Sequence, residues 1–309
     1  MNDTVPAIEV RALHKRYGEY EAVRGIDIEV RRGEVFGLLG PNGAGKTTTV
    51  EILEGYRTRS SGEVSVLGYD PARRQIELRR RIGIVLQAGG IYSHVTPREA
   101  LQHWASFYPH PRDVEEVLAL SGLTGQADVR SRKLSGGQLR RLDLALALVG
   151  DPELIFLDEP TTGFDPAARR GAWETVRRLR DLGKTVLLTT HYLDEAQELA
   201  DRVAIIKDGR VLAIGAPREL GAGAAQYRVA WRDGGGDLVQ RQTDDPTRLL
   251  HELTSEALAR GEQVRDLSVG RPTLEDVYLE LTAGEESART SRPRDDPAAT
   301  HLTTPGRRA

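Results

Sequence analysis

The feature that most constrains this chain is a glycine-rich loop, residues 40–48, which reads Gly-Pro-Asn-Gly-Ala-Gly-Lys-Thr-Thr. It matches the phosphate-binding pattern G-x-x-x-x-G-K-[ST] and lies between a strand-like apolar run and a helix-like run. Glycines let backbone N–H groups surround phosphate oxygens, and the following helix presents its positive end. Lys46 adds a mobile positive charge, and Thr47 adds a hydroxyl for Mg2+. The predicted nucleotide contacts are Gly40, Pro41, Asn42, Gly43, Ala44, Gly45, Lys46, Thr47 and Thr48.

A pair of acids follows a second apolar run, residues 154–157, which is bounded by prolines. Such a run is typical of a strand that is buried on both faces of a parallel sheet. Asp158 and Glu159 then stand at its carboxyl end, where open α/β sheets place their ligand sites. In a phosphate-loop enzyme the first acid is placed to hold Mg2+, and the second can polarise the water that attacks the γ-phosphate. The alternative interpretation is that both acids only cap the following turn.

The motif Leu134-Ser135-Gly136-Gly137-Gln138 precedes another apolar run. One interpretation is local, because Ser135 and Gln138 match the S-x-x-Q capping box of a helix start. The other is functional: two glycines after a capping serine leave N–H groups open at a positive helix end, which would make a second anion site. The two predicted anion sites are about ninety residues apart in sequence and need not face each other within one molecule.

Strand-like and helix-like patterns alternate along the chain, which predicts a doubly wound α/β fold with a helical insertion. Asp208-Gly209 stands between two apolar pairs and predicts a hairpin turn. The strand patterns are at 8–13, 26–30, 35–39, 62–67, 82–86, 154–157 and 185–190, and the helical patterns at 46–54, 96–149, 166–182 and 194–200.

The length of 309 residues suggests two domains. We place the first domain at 1–221, with its helical subdomain at about 89–150. A small α+β accessory domain is expected at 222–283, because strand patterns at 226–231 and 263–269 flank a helical pattern at 247–260, and an amphipathic helix pattern follows at 272–281. Residues 284–309 are rich in Ser, Thr, Pro and Arg, and we expect them to be disordered.

Composition limits the possible partners of this chain. No apolar stretch approaches the ~18 residues that cross a bilayer, and the start lacks the pattern of a signal peptide. We therefore expect a cytoplasmic protein whose membrane role, if it has one, needs a partner. The formal net charge of −3 gives no overall attraction to nucleic acid. The absence of cysteine excludes disulfides and thiolate metal sites.

The order of these motifs resembles that of the ATP-binding cassette (ABC) ATPases. The phosphate loop, Gln87, the 134–138 motif, the paired acids, a Thr-Gly-Phe-Asp loop at 162–165 and His191 follow one another as in that family. The resemblance covers the first ~220 residues. It implies a RecA-like P-loop NTPase core with an antiparallel β subdomain, a helical insertion, ATP and Mg2+ as ligands, and ATP hydrolysis coupled to transport.

The resemblance also implies individual roles. Tyr17 resembles the aromatic residue on which adenine stacks, and Gln87 the glutamine that touches Mg2+ and the attacking water. His191 resembles the histidine that hydrogen-bonds the γ-phosphate, and Asp165 the acid whose loop crosses between two subunits. The implied catalytic set is Glu159, His191, Gln87 and Lys46; the metal set is Thr47, Gln87 and Asp158; the nucleotide set is Tyr17, residues 40–48, Ser135, Gly136, Gly137, Gln138 and Asp165.

Two segments point to one subgroup within the family that the chain resembles. Residues 140–144 (Arg-Arg-Leu-Asp-Leu) and residues 272–278 (Pro-Thr-Leu-Glu-Asp-Val-Tyr) look like the daunorubicin-resistance type of exporter ATPase in the ABC-2 group. This implies an exporter of drugs or other hydrophobic compounds, a homodimer of ATPase subunits, a separate ABC-2 permease, and a location at the cytoplasmic face of the membrane. The crossing loop departs from the usual Ser-Gly-Leu-Asp, because Thr162 and Phe164 replace the serine and the leucine.

Two other classes remain as alternatives. A soluble ABC ATPase of the translation type would carry two cassettes, and one of the DNA-repair type a long coiled coil, whereas this sequence has one cassette and no long heptad run. A GTPase or small-molecule kinase would share the phosphate loop and leave the 134–138 motif and His191 unexplained.

Overall fold

A six-stranded sheet forms the centre of the fold in the computed structural model, which describes residues 5–85, 93–222, 227–270 and 274–279. Its strand order is β5-β6-β7-β3-β8-β9; neighbours from β5 to β8 are parallel, and β9 pairs antiparallel with β8. The strands are β3 (Val35–Leu39), β5 (Ile82–Val85), β6 (Leu154–Asp158), β7 (Thr185–Thr190), β8 (Arg202–Lys207) and β9 (Arg210–Gly215). This confirms the predicted doubly wound sheet and the hairpin turn at 208–209.

Both faces of this sheet are covered, which explains why its strands read as continuous apolar runs. On β6, Leu154 and Phe156 belong to one buried cluster, while Ile155 and Leu157 belong to another on the opposite face. The first cluster includes α1 (Lys46–Leu53) and the short α2 (Ile76–Arg79). The second includes α3 (Pro97–Ala105), α4 (Val114–Leu120), α5 (Gly136–Leu148) and α6 (Pro166–Asp181), and the end of α7 (Leu193–Leu199) packs there too. The predicted helical insertion is thus the layer of α3, α4 and α5.

A second, antiparallel sheet lies over the first face, with strand order β2-β1-β4. Its strands are β1 (Ile8–Tyr17), β2 (Tyr20–Val30) and β4 (Ser61–Val66). The sequence predicted only residues 8–13 and 26–30 of the first two strands, because their other halves are charged and lack apolar alternation. The structure extends both strands until Tyr17 pairs with Tyr20, and Gly18 adopts a positive φ of 57° in the turn between them. Pairing between strands therefore overrides a weak local signal.

A third sheet, β11-β10-β12, carries the C-terminal part of the chain. Its elements, with the preceding helix, are α8 (Pro217–Ala222), β10 (Tyr227–Arg232), β11 (Leu238–Thr243), α9 (Pro246–Arg260) and β12 (Arg265–Gly270). The sequence did not predict β11, whose Leu-Val-Gln-Arg-Gln-Thr run has no alternation of apolar and polar residues. Its place is set by antiparallel pairing with β10 along all six residues.

The helical residues 274–279 pack back onto the nucleotide-binding unit. Leu274 is 1% exposed and belongs to a cluster with Leu39, at the end of β3, and Ala196 on α7. Asp276 forms an ion pair with Arg228 of β10, so the same helical turn also contacts the third sheet. The predicted limits at 221, 222–283 and 284–309 stay a prediction, and residues 280–309 lie outside the described part of the chain.

None of the helices in the described residues is both long enough and apolar enough to cross a membrane.

Candidate nucleotide site

The phosphate loop depends on two glycines that have no room for a side chain. A Cβ on Gly40 would lie 2.1 Å from the carbonyl oxygen of Ile206, and one on Gly45 would lie 2.6 Å from that of Ala22. Gly45 also has a φ of 102° where it caps α1, a conformation that side chains with a Cβ rarely adopt. Close contact with β8 and β2 therefore fixes the loop at the start of α1.

Lys46 lies folded against its own loop. Its side chain is 5% exposed, and Nζ donates to the carbonyl oxygens of Gly40 at 2.7 Å and Pro41 at 3.1 Å. The Nζ atom is 3.8 Å from Oε1 of Glu159. Burial lowers the pKa of Lys46, and the charges of Glu159 and Asp158 oppose that shift. The structure thus brings together the lysine and the paired acids that the sequence placed in one site.

Asp158 and Glu159 are held by a residue that the sequence analysis did not identify, Thr189 on the neighbouring strand β7. The hydroxyl of Thr189 donates to Oδ1 of Asp158 at 2.5 Å and accepts from the backbone N–H of Glu159 at 2.9 Å. Glu159 has a positive φ of 44°, which is unusual for a residue with a side chain. The anchored N–H supports this strained conformation in the residue that directly follows β6.

The carboxylate of Glu159 is 14% exposed and meets two further predicted residues. Its Oε1 atom is 3.3 Å from Nδ1 of His191, without hydrogen-bond alignment, and its Oε2 atom accepts from the hydroxyl of Thr162 at 3.0 Å. Thr162 therefore supplies a hydroxyl where the usual crossing loop has a serine. His191 also packs on Tyr192, with 4.1 Å between ring centroids. A base, a lysine and an imidazole consequently converge at one end of the sheet.

A cleft of 350 Å³ opens in front of this group. It is lined by Tyr17, Tyr20, Asn42, Lys46, Thr47, Thr48 and Glu159, among others. Tyr17 is 40% exposed, and two cations stand by its ring, with Nζ of Lys15 at 5.1 Å and Cζ of Arg57 at 5.4 Å from the centroid. The exposed ring and the phosphate loop lie on the same cleft, which suits a nucleotide with its base at one end.

The residues of this cleft also fit Mg2+. Within the described part of the chain no three acidic, histidine or cysteine side chains gather as a protein-only metal cage. Mg2+ is commonly held by one or two protein ligands together with phosphate oxygens and water. The hydroxyl of Thr47, which lines the cleft, and the carboxylate of Asp158, which directly precedes the cleft residue Glu159, match that pattern. Gln87, the third predicted metal ligand, lies outside the described residues.

The motif at 134–138 forms the predicted capping box at the start of α5. The N–H of Gln138 donates to Oγ of Ser135 at 3.3 Å, and the N–H of Ser135 donates to Oε1 of Gln138 at 2.8 Å. The local interpretation of the motif is therefore confirmed, and Gln138 uses its side chain for the cap. A Cβ on Gly136 would meet nothing within 4 Å, so the helix end stays open.

The open end of α5 and the phosphate loop of the same chain line different cavities. Ser135, Gly136 and Gly137 line a separate cavity of 620 Å³ together with Asp165 and Phe164, whereas Lys46 and Thr47 line the 350 Å³ cleft. Asp165 is exposed, and its Oδ1 accepts from the N–H of Ala168 at 2.9 Å at the start of α6. The structure thus separates the predicted nucleotide contacts into two groups on one chain.

Glu54, at the end of α1, is a buried acid that sequence reasoning missed. It is 8% exposed, and its Oε1 atom has no hydrogen-bond partner among the described residues. Burial, then the charges of Asp158 and Glu51, raise the pKa of Glu54 from 4.5 to about 8. The folded chain therefore keeps a proton on Glu54 at pH values where the unfolded chain has lost it.

We expect this raised pKa to lower stability as the pH rises. Between the unfolded value of 4.5 and about 8 the folded state binds more protons, so the free energy of unfolding falls with increasing pH. Glu54→Gln removes this contribution to the pH dependence. The free energy of unfolding of the variant, relative to that of the wild type, should therefore rise by roughly 2–4 kcal/mol from about pH 5 to about pH 8.5. Urea unfolding across that range measures the effect.

Glu77→Gln is the control, because Glu77 is an exposed glutamate on the nearby α2 and its charge is not among those that raise the pKa of Glu54. Its stability difference from the wild type should change little with pH over the same interval. Parallel pH profiles for the wild type and Glu54→Gln would contradict the assignment.

Comparisons with known proteins agree with this geometry. A family model described as ABC transporter matches residues 23–162. The daunorubicin resistance ATP-binding protein DrrA3 of Streptomyces coeruleorubidus is 38% identical over 316 residues, which cover 94% of this chain and 99% of that protein. The Nod factor export ATP-binding protein I of Burkholderia orbicola is 37% identical and covers 91% of this chain and 99% of its own length.

Two solved structures extend the comparison. cbiO1 from Clostridium perfringens, part of the ABC transporter complex cbiONQ, has a TM-score of 0.65 at 26% identity and covers 83% of this chain and 97% of its own. The ATP-binding cassette MJ0796, in a dimeric post-hydrolysis state bound to ADP and Pi, has a TM-score of 0.60 at 25% identity and covers 68% of this chain and 98% of its own.

Proposed function

This chain belongs to the ABC transporter family of ATP-binding subunits, and on that premise we propose that two copies close around two ATP molecules to drive a separate membrane permease. Each ATP lies between the phosphate loop of one copy and Ser135, Gly136 and Gly137 of the other. The observation that carries this proposal is the separation of the two groups on one chain, where the loop and the α5 end line different cavities. A second copy would place both groups against one triphosphate.

The contacts of Glu159 with Lys46 and His191 support a role in hydrolysis for each of these side chains. In this proposal Glu159 accepts a proton from the water that attacks the γ-phosphate, giving ADP and phosphate. Lys46 moves from the carbonyl oxygens that it now contacts to the phosphate oxygens, and His191 donates to the γ-phosphate. Thr47 and Asp158, with Gln87, would hold Mg2+, which would neutralise charge on the phosphates. Tyr17 stacks on the adenine ring.

Hydrolysis then changes the affinity of the two copies for each other. A ligand shifts an equilibrium only by its difference in affinity between the two states. In the closed pair both copies contact the γ-phosphate, whereas in the open pair only one does. Loss of the γ-phosphate therefore weakens the closed pair more than the open pair. We therefore expect ATP to favour closing and ADP to favour reopening. Asp165 lies beside the open end of α5, in the cavity that the partner's nucleotide would enter.

The relatives indicate what the cycle drives. One is named for daunorubicin resistance and another for Nod factor export, and both match along nearly all of this chain. We infer that this chain energises an ABC-2 type permease that exports drugs or other hydrophobic compounds, as a homodimer at the cytoplasmic face of the membrane. The helical layer of α3 to α5, which follows the segment of Gln87, is the part that would contact the permease.

ATP turnover in membranes tests the coupling. The chain is co-expressed with the products of the neighbouring reading frames, and phosphate release is measured in the membranes with and without candidate hydrophobic compounds. We expect turnover to rise several-fold when both proteins and a transported compound are present. Membranes with the permease and a Glu159→Gln chain are the control, and they should show no rise.

The alternative is a soluble ABC ATPase that is not coupled to transport. It predicts the same ATP hydrolysis but no dependence on any membrane partner. Turnover of the isolated chain that equals turnover in all co-expressed membranes would favour this alternative.

A further inference from the structure

Glu195 on α7 is a fully buried acid that the proposed chemistry does not use. It is 0% exposed and lies four residues after His191. Its Oε1 atom accepts from the hydroxyl of Thr161 at 2.8 Å and from Nε1 of Trp173 at 3.3 Å. Its Oε2 atom is buried without a hydrogen-bond partner among the described residues. Burying a carboxyl that is only partly satisfied costs free energy, so its presence calls for a reason.

The position of Glu195 supplies that reason, because its contacts join the segments on which the two catalytic side chains stand. Thr161 comes two residues after Glu159. Thr190 comes directly before His191. Burial raises the pKa of Glu195, and the hydroxyl of Thr190 opposes that larger effect. Trp173 belongs to α6, which begins directly after Asp165.

Charged groups around this carboxyl come from three elements. Arg169 on α6 lowers the pKa of Glu195 through its charge, and Arg140 on α5 interacts with the carboxyl electrostatically. Arg140 also donates to the backbone oxygen of Asp158 at 3.2 Å. Asp194, beside Glu195 on α7, forms an ion pair with Arg169 at 2.9 Å. The buried acid thus belongs to a network of charged groups that extends, through Arg140, to the backbone of Asp158 at the end of β6.

We propose that Glu195 is a positioning residue for ATP hydrolysis. Its carboxyl ties Thr161 to α7, the helix that begins two residues after His191, and thereby holds the Glu159 carboxylate beside the His191 ring, where Oε1 and Nδ1 are 3.3 Å apart. This inference rests on the proposed roles of Glu159 and His191. Small misplacement of a catalytic base lowers the rate of the chemical step more than it lowers substrate affinity.

Steady-state kinetics of Glu195→Ala and Glu195→Gln provide the first test. The alanine variant should lower kcat about tenfold or more, with the KM for ATP changed less than about threefold. The glutamine variant keeps an oxygen that can accept from Thr161, so it should retain roughly a third or more of the wild-type kcat. Glu198→Gln is the matched control on the same helix, because Glu198 is half exposed and pairs with Arg177.

A double-mutant cycle separates positioning from general support of the fold. If Glu195 acts through Glu159, then Glu195→Ala should cause little further loss in a chain that already carries Glu159→Gln. Three results would each overturn the inference: losses in kcat that multiply in the double mutant, an unchanged kcat in Glu195→Ala, or a raised KM in Glu195→Ala with a normal kcat. If Glu195→Ala does not fold, Thr161→Val should lower kcat in the same way and Thr161→Ser should restore it; equal rates in both Thr161 variants would overturn it too.

The outcomes also separate this inference from the function on which it rests. Normal turnover in Glu159→Gln would contradict the proposed base itself. Lost turnover in Glu159→Gln, with normal turnover in Glu195→Ala, would contradict only the positioning role.

Discussion

Glu159→Gln is expected to lower the rate of ATP hydrolysis about a hundredfold or more while ATP binding persists, because a preorganised catalytic contact is typically worth ~3 kcal/mol. The amide has the shape of the carboxylate and still accepts from Thr162, so the local structure should survive. It cannot take a proton from water, and it no longer offers a charge to Lys46, 3.8 Å away. Phosphate release under saturating ATP measures the rate.

The same variant should trap the closed pair. With hydrolysis blocked, the γ-phosphate stays between the two copies, so gel filtration with ATP should show a dimer that ADP does not support. Glu153→Gln is a suitable control, because Glu153 lies at the opposite end of β6, where it pairs with Arg32 and Arg81. It should keep turnover near that of the wild type. Near-normal phosphate release from Glu159→Gln would contradict the role of Glu159.

Gly136→Asp should strongly lower the rate of ATP hydrolysis without harming the fold. A Cβ at Gly136 meets nothing within 4 Å, and an acid in the first turn of a helix is favourable to the helix dipole. In the closed pair, however, the new carboxylate would face the triphosphate of the partner, where like charges repel. We expect a loss of about a hundredfold or more in turnover, with an unchanged or slightly raised melting temperature. Gly125→Asp, at another glycine with open space, is the matched control.

Mixing Gly136→Asp with Lys46→Ala decides whether the site is shared. A mixed pair contains one site with both defects and one site with neither, so turnover should return to about a quarter of the wild-type value after random exchange. If each site formed within a single chain, every site would carry one defect and mixing would restore nothing. The absence of recovery, under conditions where mixed pairs form, would refute the shared site.

The sequence predicted those parts of the site whose chemistry is local. The phosphate loop needs glycines where the backbone approaches Ile206 and Ala22, and these glycines are visible as a spacing. The capping box of Ser135 and Gln138 closes within four residues and was equally visible. Apolar runs such as 154–157 predicted strands covered on both faces, and the structure confirms them.

Other features depend on neighbours that are distant in sequence. Thr189 organises Asp158 and Glu159 only because β7 pairs with β6, thirty residues away along the chain. Strand β11 exists because β10 pairs with it, and its own pattern is polar. The raised pKa of Glu54 follows from burial beside Asp158, which no local pattern reports.

By itself, then, the sequence determined where phosphate could bind, which runs would be buried and which helix ends would stay open, because each depends on residue types a few positions apart. The tertiary structure alone decided which of these features meet. It set the Glu159 carboxylate close to both Lys46 and His191, and it put the α5 end and the phosphate loop on different cavities. The physical reason is that strand order and helix packing minimise the free energy of the whole core, and side chains from distant segments come together only as a consequence of that packing.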